Sequence, residues 1–122
     1  INPSKKFVQD VLHWRWMTNH ASRGGAVKAE QTPAGFTGSY EFNTEFNDRQ
    51  YCVEAPDGIN PVGKHAVTVM RYDENEISAG VAYDGHDYRC VSFGFPIESL
   101  TSQEQIDKLL GQTMDFFAKP VK

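Results

Sequence analysis

His65-Ala-Val-Thr-Val-Met-Arg-Tyr72, Ile77-Ser-Ala-Gly-Val-Ala-Tyr83 and Tyr88-Arg-Cys-Val-Ser-Phe-Gly-Phe95 are the three runs whose reading decides the fold class. Each mixes β-branched, aromatic and small apolar residues with partial alternation, the pattern of a half-buried strand. Two polar breaks, Asp73-Glu-Asn-Glu76 and Asp84-Gly-His-Asp87, separate them. Connections this short join antiparallel neighbours, so the three runs predict a meander, with Asp84-Gly85 its strongest hairpin signal.

Working outward toward the C-terminus, Thr101 and Glu104 have capping-box spacing. Ile106, Leu109, Leu110, Thr113, Met114 and Phe117 then form one helical stripe, read as laid on the sheet. Gly111 interrupts that helix and is read as a close-packing position, and Pro120 ends it. On the other side, Ala55-Pro-Asp-Gly58 is turn chemistry, prolonged by Asn60-Pro61 and Gly63. Tyr40 with Phe42, and Tyr51-Cys-Val53, read as two more strands, and Lys28 to Gly38 as a loop. Ser4 is placed to cap a first helix from Lys5, with Phe7, Val8, Val11, Leu12, Trp14, Trp16 and Met17 on a broad apolar face and Arg23-Gly24-Gly25 as its stop.

The sum is an α/β chain of the α+β kind: a mostly antiparallel β-meander sheet of about five strands, packed by an N-terminal and a C-terminal helix. The 122 residues (1–122) suit a single domain, and an apolar fraction of 39% with eight Phe, five Tyr and two Trp supplies a core. A net charge of −4 with scattered Lys and Arg excludes nucleic acid as a main partner. No apolar run approaches the roughly 20 residues of a bilayer span, so no membrane insertion is expected. A start at Ile1, without Met or leader, reads as a trimmed piece or C-terminal module of a larger protein.

Candidate chemistry is sparse. His13 and His20 lie too far apart on the expected helix for a metal pair, and His65 and His86 have no Cys or carboxylate at ligand spacing, so no metal and no cofactor is assigned. Asp73, Glu74 and Glu76 read as a solvated hairpin tip that resists edge pairing. Cys52 and Cys90 sit in expected strands and read as buried free thiols rather than a disulfide or a nucleophile, which needs an open electropositive setting. Trp14, Trp16, Tyr40, Tyr51 and Tyr83 are core by default. Trp14 and Trp16, two apart, cannot share a helix face, which leaves one of them exposed or covered by a neighbouring domain.

Phe93-Gly-Phe-Pro-Ile-Glu-Ser99, followed by a helix that closes on Phe116-Phe117, resembles the end of class I glutamine amidotransferase-like domains. Tyr51-Cys-Val-Glu-Ala-Pro-Asp-Gly-Ile-Asn-Pro61, Arg71-Tyr72 and Ala79-Gly-Val-Ala-Tyr83 are similar to such domains in secreted bacterial proteins labelled xanthan lyase or uncharacterised. The resemblance runs from about Tyr40 onward. It implies the C-terminal part of a flavodoxin-like domain, in which a His before the motif's Pro is the base for a Cys on an earlier elbow. Phe95 stands at that His position, Ile97 displaces Glu98 by one place, and the elbow half is absent. Removing the base from a triad that acts as a unit abolishes nearly all its chemistry.

The expectation is therefore a non-catalytic structural or interaction module of a secreted or periplasmic multidomain bacterial protein, amidotransferase-like but degenerate, with no catalytic residues assigned. Its partners would be neighbouring domains or a second copy in a homodimer, with carbohydrate a further candidate. Trp14, Trp16, Asp57, His65 and Glu98 are the ligand-binding candidates, and Glu98 is also a candidate cap for the final helix. The alternatives are a carbohydrate-binding module with an aromatic platform, and a hydrolase of polysaccharide metabolism using His65 or His86 with Asp57 or Asp84.

Overall fold

A computed structural model describes residues 3–48 and 52–120. The helices are α1 (Pro3–Phe7) and α2 (Gln103–Ala118). The strands are β1 (Trp14–Thr18), β2 (Ala26–Ala29), β3 (Ser39–Glu41), β4 (Gly58–Pro61), β5 (Ala66–Tyr72), β6 (Ser78–Asp84) and β7 (Arg89–Phe93). The meander stands as read: β5, β6 and β7 pair antiparallel in chain order. β2 pairs with β5 and β3 with β2, which makes a five-stranded antiparallel sheet ordered β3-β2-β5-β6-β7. β1 and β4 form a separate antiparallel ribbon.

Residues Ser78 to Ala82 of β6 are all buried because the sheet is covered on both faces. On one face Leu109 and Phe116 of α2 join a core of Phe36, Tyr40, Phe42, Met70, Tyr72 and Phe95. On the other the ribbon lays Trp14 and Ile59 over Ala66, Val81 and Tyr83. Each fully buried large apolar side chain contributes about 1.5–3 kcal/mol.

The ribbon corrects the reading of the N-terminal segment. The expected helix does not reach Met17. After α1 the chain makes one π-turn, Val8–Leu12, closed by the His13 N–H on the Val8 carbonyl, with His13 left-handed at φ 61°. A left-handed residue cannot continue a right-handed helix, and Trp14–Thr18 runs on extended, Trp16 opposite Ile59. In a strand, residues two apart share a face, so Trp14 and Trp16 lie on one side of the ribbon, the reverse of the helical expectation. Arg23-Gly24-Gly25 turns the chain between β1 and β2, the expected loop gives Lys28 and Ala29 to β2, and Asn60-Pro61 belongs to β4. Of the expected Tyr51-Cys-Val53 strand, Tyr51 lies outside the described residues, and Cys52 and Val53 are in no strand.

The β1–β2 turn is held by a distant side chain. Glu74, at the β5–β6 turn, accepts hydrogen bonds from the Ser22 hydroxyl (2.5 Å) and from the N–H groups of Arg23 (2.9 Å) and Gly24 (3.0 Å). Chiefly the Ser22 bond, then the Gly24 amide, hold its carboxyl below the usual 4.5. A carboxylate depressed in the folded state stabilises the fold above its unfolded value, and that stability is lost as pH falls through the folded one. Thermal unfolding should therefore show an acid loss beginning below about pH 4.5. This share of the loss, at most ~1 kcal/mol for so exposed a group, is absent from Glu74→Gln.

α2 begins one residue later than the capping-box reading. Ser102 is its N-cap, accepting from the Gln105 N–H at 3.2 Å, while the Thr101 N–H donates to the Glu41 carbonyl at 2.9 Å. The apolar stripe is also rotated. Leu109 and Phe116 are buried, whereas Leu110, Met114 and Phe117 are 45%, 63% and 42% exposed. A methyl group added at Gly111 would meet nothing within 4 Å, so this glycine is not a packing device. Gly111→Ala is expected to raise stability by about 1 kcal/mol through helix propensity, read as a higher denaturant midpoint.

Candidate functional site

Asp57 is the best-anchored of the sequence candidates. Its N–H donates to the Gly94 carbonyl (2.7 Å) and its own carbonyl accepts the Tyr72 hydroxyl (2.6 Å). Tyr72 is wholly buried, and burial first, then the nearby Asp57 charge, pushes its hydroxyl far above the ordinary range, so it remains a donor. With its backbone pinned on both sides, Asp57 aims its carboxylate at β1, where Oδ1 accepts the Trp16 indole N–H at 3.2 Å. Trp16 remains 57% exposed. Beside this pair lies a cleft of about 460 Å³ between Val53–Asp57 and Phe93–Pro96.

The other candidates scatter. Trp14 is half-buried in the ribbon core, and its indole N–H has no partner among the described residues. Glu98 stands exposed on a 3-10 turn, Ile97–Ser99, and the cap of α2 is Ser102. Phe95 is 3% exposed and stacks on Phe42 at 5.5 Å, so it is a core position.

His65 lies at the opposite end of the sheet. Its ring is 6.2 Å from that of His86 and 6.5 Å from that of Tyr83. Both histidines line a cleft of about 360 Å³ with Pro33, Asp84, Arg89 and Lys119, a lining that contains no Ser, Thr or Cys. Asp84 shares this cleft; Asp57 lines the other one. Arg89 is already committed. Its Nε donates to Asp84 (2.8 Å), and its Nη atoms donate to the carbonyls of Phe116, Phe117, Lys119 and Pro120, which leaves the guanidinium satisfying the C-terminal end of α2.

Sequence reasoning missed a ring cluster at the ribbon. His13 stacks on Tyr83 at 3.6 Å with an interplanar angle of 5°, and its Nε2 is 2.8 Å from the Tyr88 hydroxyl. No sequence spacing links residues this far apart. Both cysteines are free thiols. Cys90 is in β7, with Sγ 3.6 Å from the Leu12 carbonyl oxygen, and burial pushes its thiol up, away from thiolate. Cys52 lines a loop cleft that also includes His20, but no hydrogen bond joins the two. Among the described residues, no three or more His, Cys, Asp or Glu gather as a metal site, and no helix is long and apolar enough to cross a membrane. Comparison with family models, curated proteins and solved structures found no match.

Proposed function

We propose that this chain is a non-catalytic interaction module, a degenerate amidotransferase-like piece carried by a secreted or periplasmic bacterial protein. The observation that carries the reading is the placement of Phe95. Its ring is packed against Phe42, Phe93 and the rest of the core and is 3% exposed, so the position is filled as a core position even though the residue borders the cleft beside Asp57. The state of Cys90 supports it, because a thiol held protonated by burial is a poor nucleophile. The test is hydrolysis of glutamine and of simple esters by the purified chain. No turnover above buffer is expected. Turnover that disappears in Glu98→Gln overturns the reading.

A second reading is favoured by the Trp16–Asp57 pair. An exposed indole stacks on the apolar face of a sugar ring, and a carboxylate fixed at its edge accepts sugar hydroxyls. Calorimetry against neutral and acidic polysaccharides decides it: binding lost in both Trp16→Ala and Asp57→Asn establishes a carbohydrate-binding module, and no heat with either class removes it.

A further inference from the structure

The cleft at the β6–β7 hairpin is assembled from separate parts of the chain. His65 stands directly before β5, and the Asp84 N–H donates to its carbonyl (3.0 Å), which sets it against the end of β6. His86 lies in the β6–β7 turn, Pro33 in the loop between β2 and β3, and Lys119 and Pro120 follow α2. Arg89 ties the hairpin to the helix, reaching from Asp84 to the carbonyls at the end of α2. The space these residues line, about 360 Å³, is at the small end of the range for small-molecule sites.

Its charge runs against that of the chain. The lining carries two fixed cations, Arg89 and Lys119, and one carboxylate, Asp84, in a protein of net charge −4. Asp84 is neutralised by Arg89 Nε at 2.8 Å. Lys119 spends one of its three N–H groups on the Pro33 carbonyl, a neutral acceptor, and no carboxylate pairs with it among the described residues. The cleft beside Asp57 has the opposite character, with Glu54 and Asp57 in its lining and no Lys, Arg or His. The histidines supply the open donors. Both are exposed, and neither ring makes a hydrogen bond among the described residues. An imidazole carries at least one N–H donor in either protonation state. With ring centres 6.2 Å apart, the two are close enough to reach one shared oxyanion through N–H···O bonds of about 2.9 Å.

We infer that this cleft binds a small molecule through an oxyanion, a carboxylate or phosphate group, held by the N–H groups of His65 and His86 with the Lys119 ammonium supplying the balancing charge. Pro33 and Pro120 add apolar wall for the carbon frame of such an acid or ester. A divalent cation is the poorer occupant. Arg89 and Lys119 repel it, Asp84 is taken by Arg89, and among the described residues no third His, Cys, Asp or Glu joins the two imidazoles as a ligand. The site goes beyond both readings above and depends on neither. Turnover of glutamine or esters would overturn the non-catalytic reading and leave this site standing.

Titration of the full chain with succinate and with inorganic phosphate, at constant ionic strength set by chloride, tests the inference. The ring C–H signals of His65 and His86, followed by nuclear magnetic resonance, should shift and saturate with at least one of the two anions. A response to one alone upholds the site and identifies the group it takes. His65→Ala with His86→Ala should weaken binding about tenfold or more in calorimetry, the loss of hydrogen bonds to a charged group. Both positions are exposed, so the circular dichroism spectrum should stay unchanged. Lys119→Gln should also weaken binding while leaving both rings in place. Shifts that fail to saturate with either anion, shifts that chloride alone reproduces, or binding unmoved by both variants overturn the site. Zinc ion moving the two rings where neither anion does overturns it as well, in favour of a metal site.

Discussion

Gly94→Ala is expected to be among the most damaging single substitutions in this chain, costing about 3 kcal/mol or more. A Cβ at this position would sit inside the contact distance of the Asp57 carbonyl oxygen, 2.9 Å from its carbonyl carbon and 2.8 Å from the Tyr72 hydroxyl. None of these atoms has room to yield. Asp57 is held by its hydrogen bond to Gly94 itself, and Tyr72 is fixed in the core with its hydroxyl on Asp57. The methyl group would part Asp57 from Gly94 and strand the buried Tyr72 donor, which adds an unsatisfied-group penalty of about 1–3 kcal/mol. Urea denaturation should show a large drop in midpoint. The effect should also reach the surface, because the Trp16 indole depends on the Asp57 carboxylate. In whatever folded fraction survives, tryptophan fluorescence should shift relative to wild type. A variant as stable as the parent would mean that the Asp57 approach to Gly94 is looser than its hydrogen bonds indicate.

Phe95→His is the second large effect. It installs the base that the amidotransferase resemblance calls for, and is expected to cost about 3 kcal/mol or more while producing no hydrolysis. Phe95 lies between Phe42 and Phe93, with ring centroids 5.5 Å and 5.6 Å away. Truncating such a ring costs about 3–5 kcal/mol, and an imidazole there also loses water without gaining an obvious partner. Phe95→Leu keeps most of the apolar volume and should cost far less, about 1.5 kcal/mol. The pair separates packing from chemistry: both midpoints follow volume and polarity, and neither variant turns over glutamine. A stable Phe95→His variant with new hydrolytic activity would show that the side chain can reach a substrate.

Much of the sheet could be read from neighbouring residues alone. Asp73–Glu76 and Asp84–Asp87 are polar turns short enough to force antiparallel return, so β5, β6 and β7 emerge from local chemistry. The same holds for α2, whose periodicity and terminal signals lie within one segment. The N-terminal reading failed because Trp14-Arg-Trp-Met-Thr18 is compatible with either period. What settles it is the left-handed His13 and the pairing of β1 with β4, a partner distant in the sequence. β4 itself is four residues including a proline, and its pairing partner, not its composition, makes it a strand.

The candidate sites divide the same way. Asp57 and Trp16 were both visible as residues, but the bond between them joins β1 to the turn before β4, and it depends on Gly94 and Tyr72 holding the Asp57 backbone in place. The two histidines beside Asp84 are brought together by the hairpin, whereas Glu98 is brought to neither cleft. Sequence by itself determined a mixed chain with an antiparallel meander and a C-terminal amphipathic helix, because turns, caps and hydrophobic period act over a few residues. Only tertiary structure decided that Phe95 is core, that the helix stripe overhangs the sheet, and that the start of α2 closes the β3 edge. Those outcomes depend on which distant segments compete for the same surface and the same backbone groups, and no local pattern encodes the result of that competition.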